Sequence, residues 1–134
     1  MQKLTIDTLE ALKTNNGFWY LATPYTKYHA GIYTAYKMAC VASAQLIHNG
    51  LVIFSPIVHS HPISKYGGID PLDGKFWMSL DNKFLAITNG VIALEAPGWD
   101  TSIGVQEELK IVEGYKKPIY LLGWDDINFL ININ

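Results

Sequence analysis

The sequence predicts an α/β domain in which a mainly parallel sheet of four to five strands is covered by helices on both faces. Three observations predict it. Four short apolar runs, "FWYLATPY", "LVIFSPIV", "GVIALEAPG" and "KPIYLLGW", recur between longer helical patterns, which is the rhythm of strands alternating with helices. The first three carry apolar residues at successive positions, as parallel strands covered on both faces do. Each run ends in turn chemistry.

Taken in order, the first fifteen residues read as a short peripheral helix. Gly31 to His48 is rich in alanine and apolar residues and stops at Asn49-Gly50, a good helix end. The connection His59 to Lys75, "HSHPISKYGGIDPLDGK", holds two prolines and three glycines and reads as a loop; loops of that length in small domains are often functional. Asp73 to Thr88 is a second helix, stopped by Asn89-Gly90. Ser102 to Tyr115 is a third, ended by Lys116, Lys117 and Pro118. "NFLIN" near the C-terminus is a candidate fifth strand.

At 134 residues the chain suits one domain with one core, spanning 1–134. A hydrophobic content of 49%, few charges and a net charge of −2 argue against disorder. No basic run supplies the footprint a nucleic-acid polymer needs, and no apolar run has the length of a membrane span. The single cysteine, Cys40, leaves no intrachain disulfide and suits a reducing compartment. The expected location is the cytoplasm. Cys40 itself, inside an apolar helix, reads as packing.

In an open parallel sheet, ligands sit beyond the carboxyl ends of the strands. Ala22–Tyr25, Ser55–His61, Ala96–Ser102 and the turn after Leu122 converge there. Two acids stand out on the helices that lead away. With about 100° per residue, Val105, Leu109, Val112 and Tyr115 form the apolar stripe of the third helix. Glu108 falls inside it, roughly 60° from Val105, whereas Glu107 points almost directly away. Asp81 sits likewise within a stripe of Trp77, Met78, Phe84 and Leu85. An unpaired buried carboxylate is costly, so each acid is either paired structurally or kept for chemistry. Paired carboxylates, one nucleophilic and one handling protons, are a recurrent means of breaking glycosidic bonds. Ahead of Glu108, "DTSIG" offers Ser102 as an N-cap and Gly104 in the first turn; such a helix start is either a plain cap or a receiver of an anion such as phosphate.

These residues resemble the nucleoside 2-deoxyribosyltransferases and their relatives that hydrolyse deoxynucleoside 5′-monophosphates. "WYLATPY" resembles the family's opening strand, "ASAQLIHNGLVIFSPI" its first helix and second strand, and "DNKFLAITNGVIAL" the segment holding its aspartate, here Asp81. "SIGVQEEL" is similar to the family's serine, glycine and nucleophilic glutamate, matched at Ser102, Gly104 and Glu108. Asn89 stands where the family has a further acid, and Pro24 where the phosphate-handling relatives commonly carry a serine.

The resemblance covers about residues 18 to 122 and implies a flavodoxin-like, doubly wound sheet. It also implies a glutamate, Glu108, that attacks the anomeric carbon, an aspartate, Asp81, that assists the departing base, and a tyrosine, Tyr20, that positions the nucleophile. The implied ligand is a nucleoside or nucleotide, with no cofactor, and the implied assembly is a homodimer or larger, because family members close their sites with a neighbouring subunit. Ser102, Gly104 and Pro24 are the candidates for holding the sugar and its phosphate. Trp99, in a strand-end loop, and Tyr25 are candidates for stacking on the base, while Trp77 reads as core. His59, with His61 beside it, is expected at the mouth of the site. Two histidines without a carboxylate or cysteine at ligand spacing do not make a zinc site, so no metal is expected. A catalytically idle nucleotide sensor of the same fold is the alternative, and a structural domain with both acids simply paired is a third.

Overall fold

The computed structural model describes residues 1–127. A five-stranded parallel sheet forms its middle layer, built from β1 (Gln2–Lys3), β2 (Trp19–Ala22), β3 (Ile53–Phe54), β4 (Val91–Leu94) and β5 (Ile119–Leu122). Strand order is β3-β2-β4-β5-β1. Tyr20 pairs with Phe54 on one side and Val91 on the other, and Val91 pairs in turn with Ile119. The arrangement is flavodoxin-like and doubly wound. Its direction of winding reverses between β2 and β4, the place where such sheets open a crevice at their carboxyl ends.

Five helices, α1 (Ile6–Leu12), α2 (Ile32–His48), α3 (Pro56–Gly67), α4 (Gly74–Ile87) and α5 (Ile103–Gly114), surround the sheet. Successive strand residues point to opposite faces, so β2 and β4 each divide between two cores. Trp19, Leu21, Ile92 and Leu94 pack with Leu12 of α1 and Met38, Ala42 and Leu46 of α2. Tyr20, Ala22, Val91 and Ala93 pack with Leu85 of α4 and Val105, Leu109 and Val112 of α5. Both faces are therefore filled, which is why these strands read as unbroken apolar runs. The three helices expected from sequence keep their bounds to within a residue, with Gly31, Asp73 and Ser102 at the N-caps. Among the described residues, no helix is long and apolar enough to cross a membrane.

Four expectations change. The run "LVIFSPIV" contributes only two residues to the sheet, and what reads as a loop from His59 is the body of α3. Ser55 caps that helix by accepting the Val58 N–H, and Pro56 fills the first position, where a missing N–H costs nothing. Pro62 lies inside the helix without ending it; only Gly68, left-handed at φ 74°, does so. At the N-terminus the expected helix is present as α1, but it is preceded by the edge strand β1. That strand is the fifth among the described residues, and the candidate strand "NFLIN" lies outside them. Tyr115, expected in the stripe of α5, is 44% exposed at the C-cap of that helix.

Candidate functional site

The two acids that interrupt the apolar stripes are both buried: Glu108 is 5% exposed and Asp81 7%. Each lies on a helix that covers the Tyr20 face of the sheet, and α4 packs directly on α5. Tyr20 itself is fully enclosed, and its phenol donates a hydrogen bond to Glu108 Oε2. Asp81 is near enough for its charge to act on both Glu108 and Tyr20, yet its Oδ1 is buried with no hydrogen-bond partner. A phenol, a carboxyl bonded to it and a second carboxyl with an unpaired oxygen thus share one pocket of low polarity. Phe54 lies against Tyr20 at 5.8 Å between ring centroids and stacks on Phe84 at 4.1 Å.

Low polarity sets the protonation of the group. Burial pushes Asp81 up to about 7. Burial pushes Glu108 up to about 8 as well; the Tyr20 hydrogen bond works in the opposite direction, and the charges of Asp81 and Glu107 add to the rise. Burial, and then the two carboxylates, hold the Tyr20 phenol well above its ordinary range, so it stays a donor. Two carboxyls that exchange protons near neutrality are suited to acid–base work. Because they interact, their titration belongs to the pair.

A cavity of about 1010 Å³ lies beside them, at the crevice between the ends of β2 and β4. The loop after β2 (Pro24, Tyr25), the loop after β4 (Pro97, Ser102), and facing sides of α4 and α5 line it. Tyr20, Asp81 and Glu108 are not in the lining; they sit on the inner sides of the elements that form it. Gly104 is in the lining, one helical turn before Glu108, and a Cβ placed there would meet nothing within 4 Å. Helix side chains lean toward the N-terminus. Glu108 therefore leans toward a position that has no side chain to cover it.

The other candidates divide. Pro24, Tyr25, Ser102 and Gly104 are brought together around the cavity. The Ser102 hydroxyl serves as the cap of α5, accepting the Val105 N–H at 3.3 Å. Trp99 is not in the lining; it is half-buried and packs on the apolar cluster under α4 and α5. His59, expected at the mouth, is also absent from the lining; it is exposed on α3, near Phe54 and Phe84. Its neighbour in the motif, His61, faces inward instead and meets Tyr25. Glu107, which the wheel assigns to plain surface, is exposed but forms part of the cavity wall. Trp77 is core, its indole N–H bonded to the Asp70 carbonyl at 3.0 Å. Among the described residues, no group of three His, Cys, Asp or Glu side chains is arranged to hold a metal ion.

The sequence offers His61 only beside His59 at the mouth of the site, and its inward contact with Tyr25 is not legible there because the segment from His59 reads as a loop. The Ser-Pro pair at 55 and 56 is the signal that would have found it, since a helix started there turns Ser60, His61 and Ser64 to one side and His59 to the other. No curated protein matches the chain. Residues 17–124 match the family described as a domain of unknown function, DUF1937, and the chain belongs to that family.

Proposed function

We propose that this protein cleaves the N-glycosidic bond of a nucleoside, deoxynucleoside or nucleoside 5′-monophosphate, passing the sugar to water or to another base. The observation that carries the reading is the hydrogen bond from Tyr20 to Glu108 with the unpaired carboxyl of Asp81 beside it. In the proposed sequence, the two carboxyls share one proton, which passes to Asp81 while the Tyr20 hydrogen bond holds Glu108 ionised, and Glu108 attacks C1′ of the sugar. The bond from C1′ to the base nitrogen breaks, its electron pair leaves with the base, and Asp81 supplies the proton that neutralises it. The sugar is then held as an ester of Glu108. Asp81, now a carboxylate, takes a proton from water or from an incoming base, which attacks C1′ and frees Glu108. Tyr20 orients the Glu108 carboxylate and favours its ionised form. The likeness of "SIGVQEEL" and its spacing from Asp81 to the deoxyribosyltransferases supports the same roles.

A panel of nucleosides and 5′-monophosphates incubated with the protein, with released base separated by chromatography, tests the reading. Base should appear with the wild type and vanish with Glu108→Gln. One observation favours a second reading, a nucleotide-binding module without turnover: Glu108, Asp81 and Tyr20 lie behind the cavity lining. Tight nucleotide binding with no base released would select that reading.

A further inference from the structure

We propose that His61 is a positioning residue, whose buried Nδ1 accepts the phenol proton of Tyr25 and so fixes that ring in the cavity wall where a ligand meets the end of β2. The Tyr25 oxygen lies 2.7 Å from Nδ1, and both side chains are 8% exposed. The imidazole stands nearly perpendicular to the Tyr25 ring, at 83° and 5.8 Å between centroids. On its other side it stacks on Tyr36, at 4.3 Å and 17°, with Tyr33 at 6.3 Å. The imidazole plane is thus clamped by α2, and its one in-plane lone pair points at the phenol.

Chemistry fixes the direction of the bond. A phenol is the better donor and a neutral imidazole nitrogen the better acceptor. Burial, and then the charge of Lys65 on the same helix, lower the His61 pKa and keep the ring neutral. Burial raises Tyr25, so it keeps its proton. The tautomer is therefore the one protonated at Nε2. Tyr25 lines the cavity beside Pro24, and a side chain already held in its binding geometry loses less freedom when a ligand arrives. His61 touches no ligand in this arrangement; it acts through Tyr25.

The inference rests on the function proposed above for the class of its ligand, but not for turnover. In the ring-nitrogen magnetic resonance spectrum at neutral pH, His61 should show a bare Nδ1 whose signal shifts in Tyr25→Phe. Binding is then measured by calorimetry in the Glu108→Gln background with 2′-deoxynucleoside 5′-monophosphates as probes. His61→Leu should weaken binding about tenfold, and His61→Asn, whose amide oxygen falls near the place of Nδ1, should restore most of it. A protonated Nδ1, equal losses in the Leu and Asn variants, or failure of every probe to bind would each overturn the inference. Binding that follows this pattern, in a protein that releases no base, would sink the glycosidase reading and leave the positioning role standing.

Discussion

Tyr20 and Glu108 lie 88 positions apart in the chain and meet inside it, a phenol at the start of the central crevice donating to a carboxyl on the helix above. This bond draws the Glu108 pKa downward, against burial and the charges of two neighbouring acids. Removing the donor with Tyr20→Phe should leave less ionised Glu108 at neutral pH. Base release should fall about 10- to 100-fold at pH 7, in line with one charge-assisted hydrogen bond, and should recover as pH is raised. A pH–rate profile of the two proteins checks this.

Stability should also depend on these acids. Both carboxyls bind protons more tightly in the folded chain, near 7 for Asp81 and 8 for Glu108, than at their ordinary values. Between the unfolded and the folded values the native state holds more protons, so stability falls as pH rises through that window. The melting temperature should be higher at pH 5.5 than at pH 9 by this contribution, and Glu108→Gln should flatten the dependence. Calorimetric melts across the range measure it. A Glu108→Gln protein that is less stable than wild type at pH 9 would mean that the ionised acid is well paired.

The sequence reveals these two acids because a helix imposes a fixed angle per residue, and an acid inside an apolar stripe is visible at once. It conceals β1 for the opposite reason: Gln2 and Lys3 are exposed and pair only through their backbone, so no side-chain pattern marks them. Glu107 was legible as outward-facing, but what lies outward, a groove shared with α4, depends on how two helices pack and not on either alone. The inward turn of His61 is hidden because two prolines and three glycines between His59 and Lys75 outweigh a Ser-Pro helix start. Tyr20's partner was suggested by resemblance, while its geometry required the fold.

Ser102 has two tasks to separate. Its hydroxyl already accepts the Val105 N–H, so Ser102→Ala should cost about 1 kcal/mol of stability as a lost cap. If it also receives a phosphate, affinity for 5′-monophosphates should drop by about 1.5–3 kcal/mol while nucleoside affinity stays the same. Equal losses for both ligands would reduce Ser102 to its cap. Melting and binding measurements on the same variant read the two effects independently.

Glu107 and Glu108 are neighbours with different surroundings, and their variants should differ in kind. Glu108→Gln keeps the shape and removes the nucleophile, so turnover should fall by several orders of magnitude while binding survives. Glu107→Gln should leave turnover nearly unchanged. Its loss from the cavity wall removes one negative charge, so KM for a monophosphate should fall, and the ionisation of Glu108 should move to lower pH because a repelling charge is gone. Steady-state kinetics with a nucleoside and its monophosphate distinguish these outcomes. An active Glu108→Gln would remove the nucleophile assignment whatever else is found.

Gly104 offers the cleanest separation of folding from access. It lies in the first turns of α5 with no positive φ, and a Cβ there meets nothing within 4 Å. Alanine should therefore be accommodated and should stabilise the helix by about 0.5–1 kcal/mol, since glycine is the poorer helix former. A longer side chain has the same backbone freedom but must project into the cavity, over the side toward which Glu108 leans. Gly104→Leu should keep the melting temperature at or above that of wild type and abolish base release, with Gly104→Ala intermediate in rate. Retained turnover in a stable Gly104→Leu protein would show that the sugar reaches Glu108 by another route.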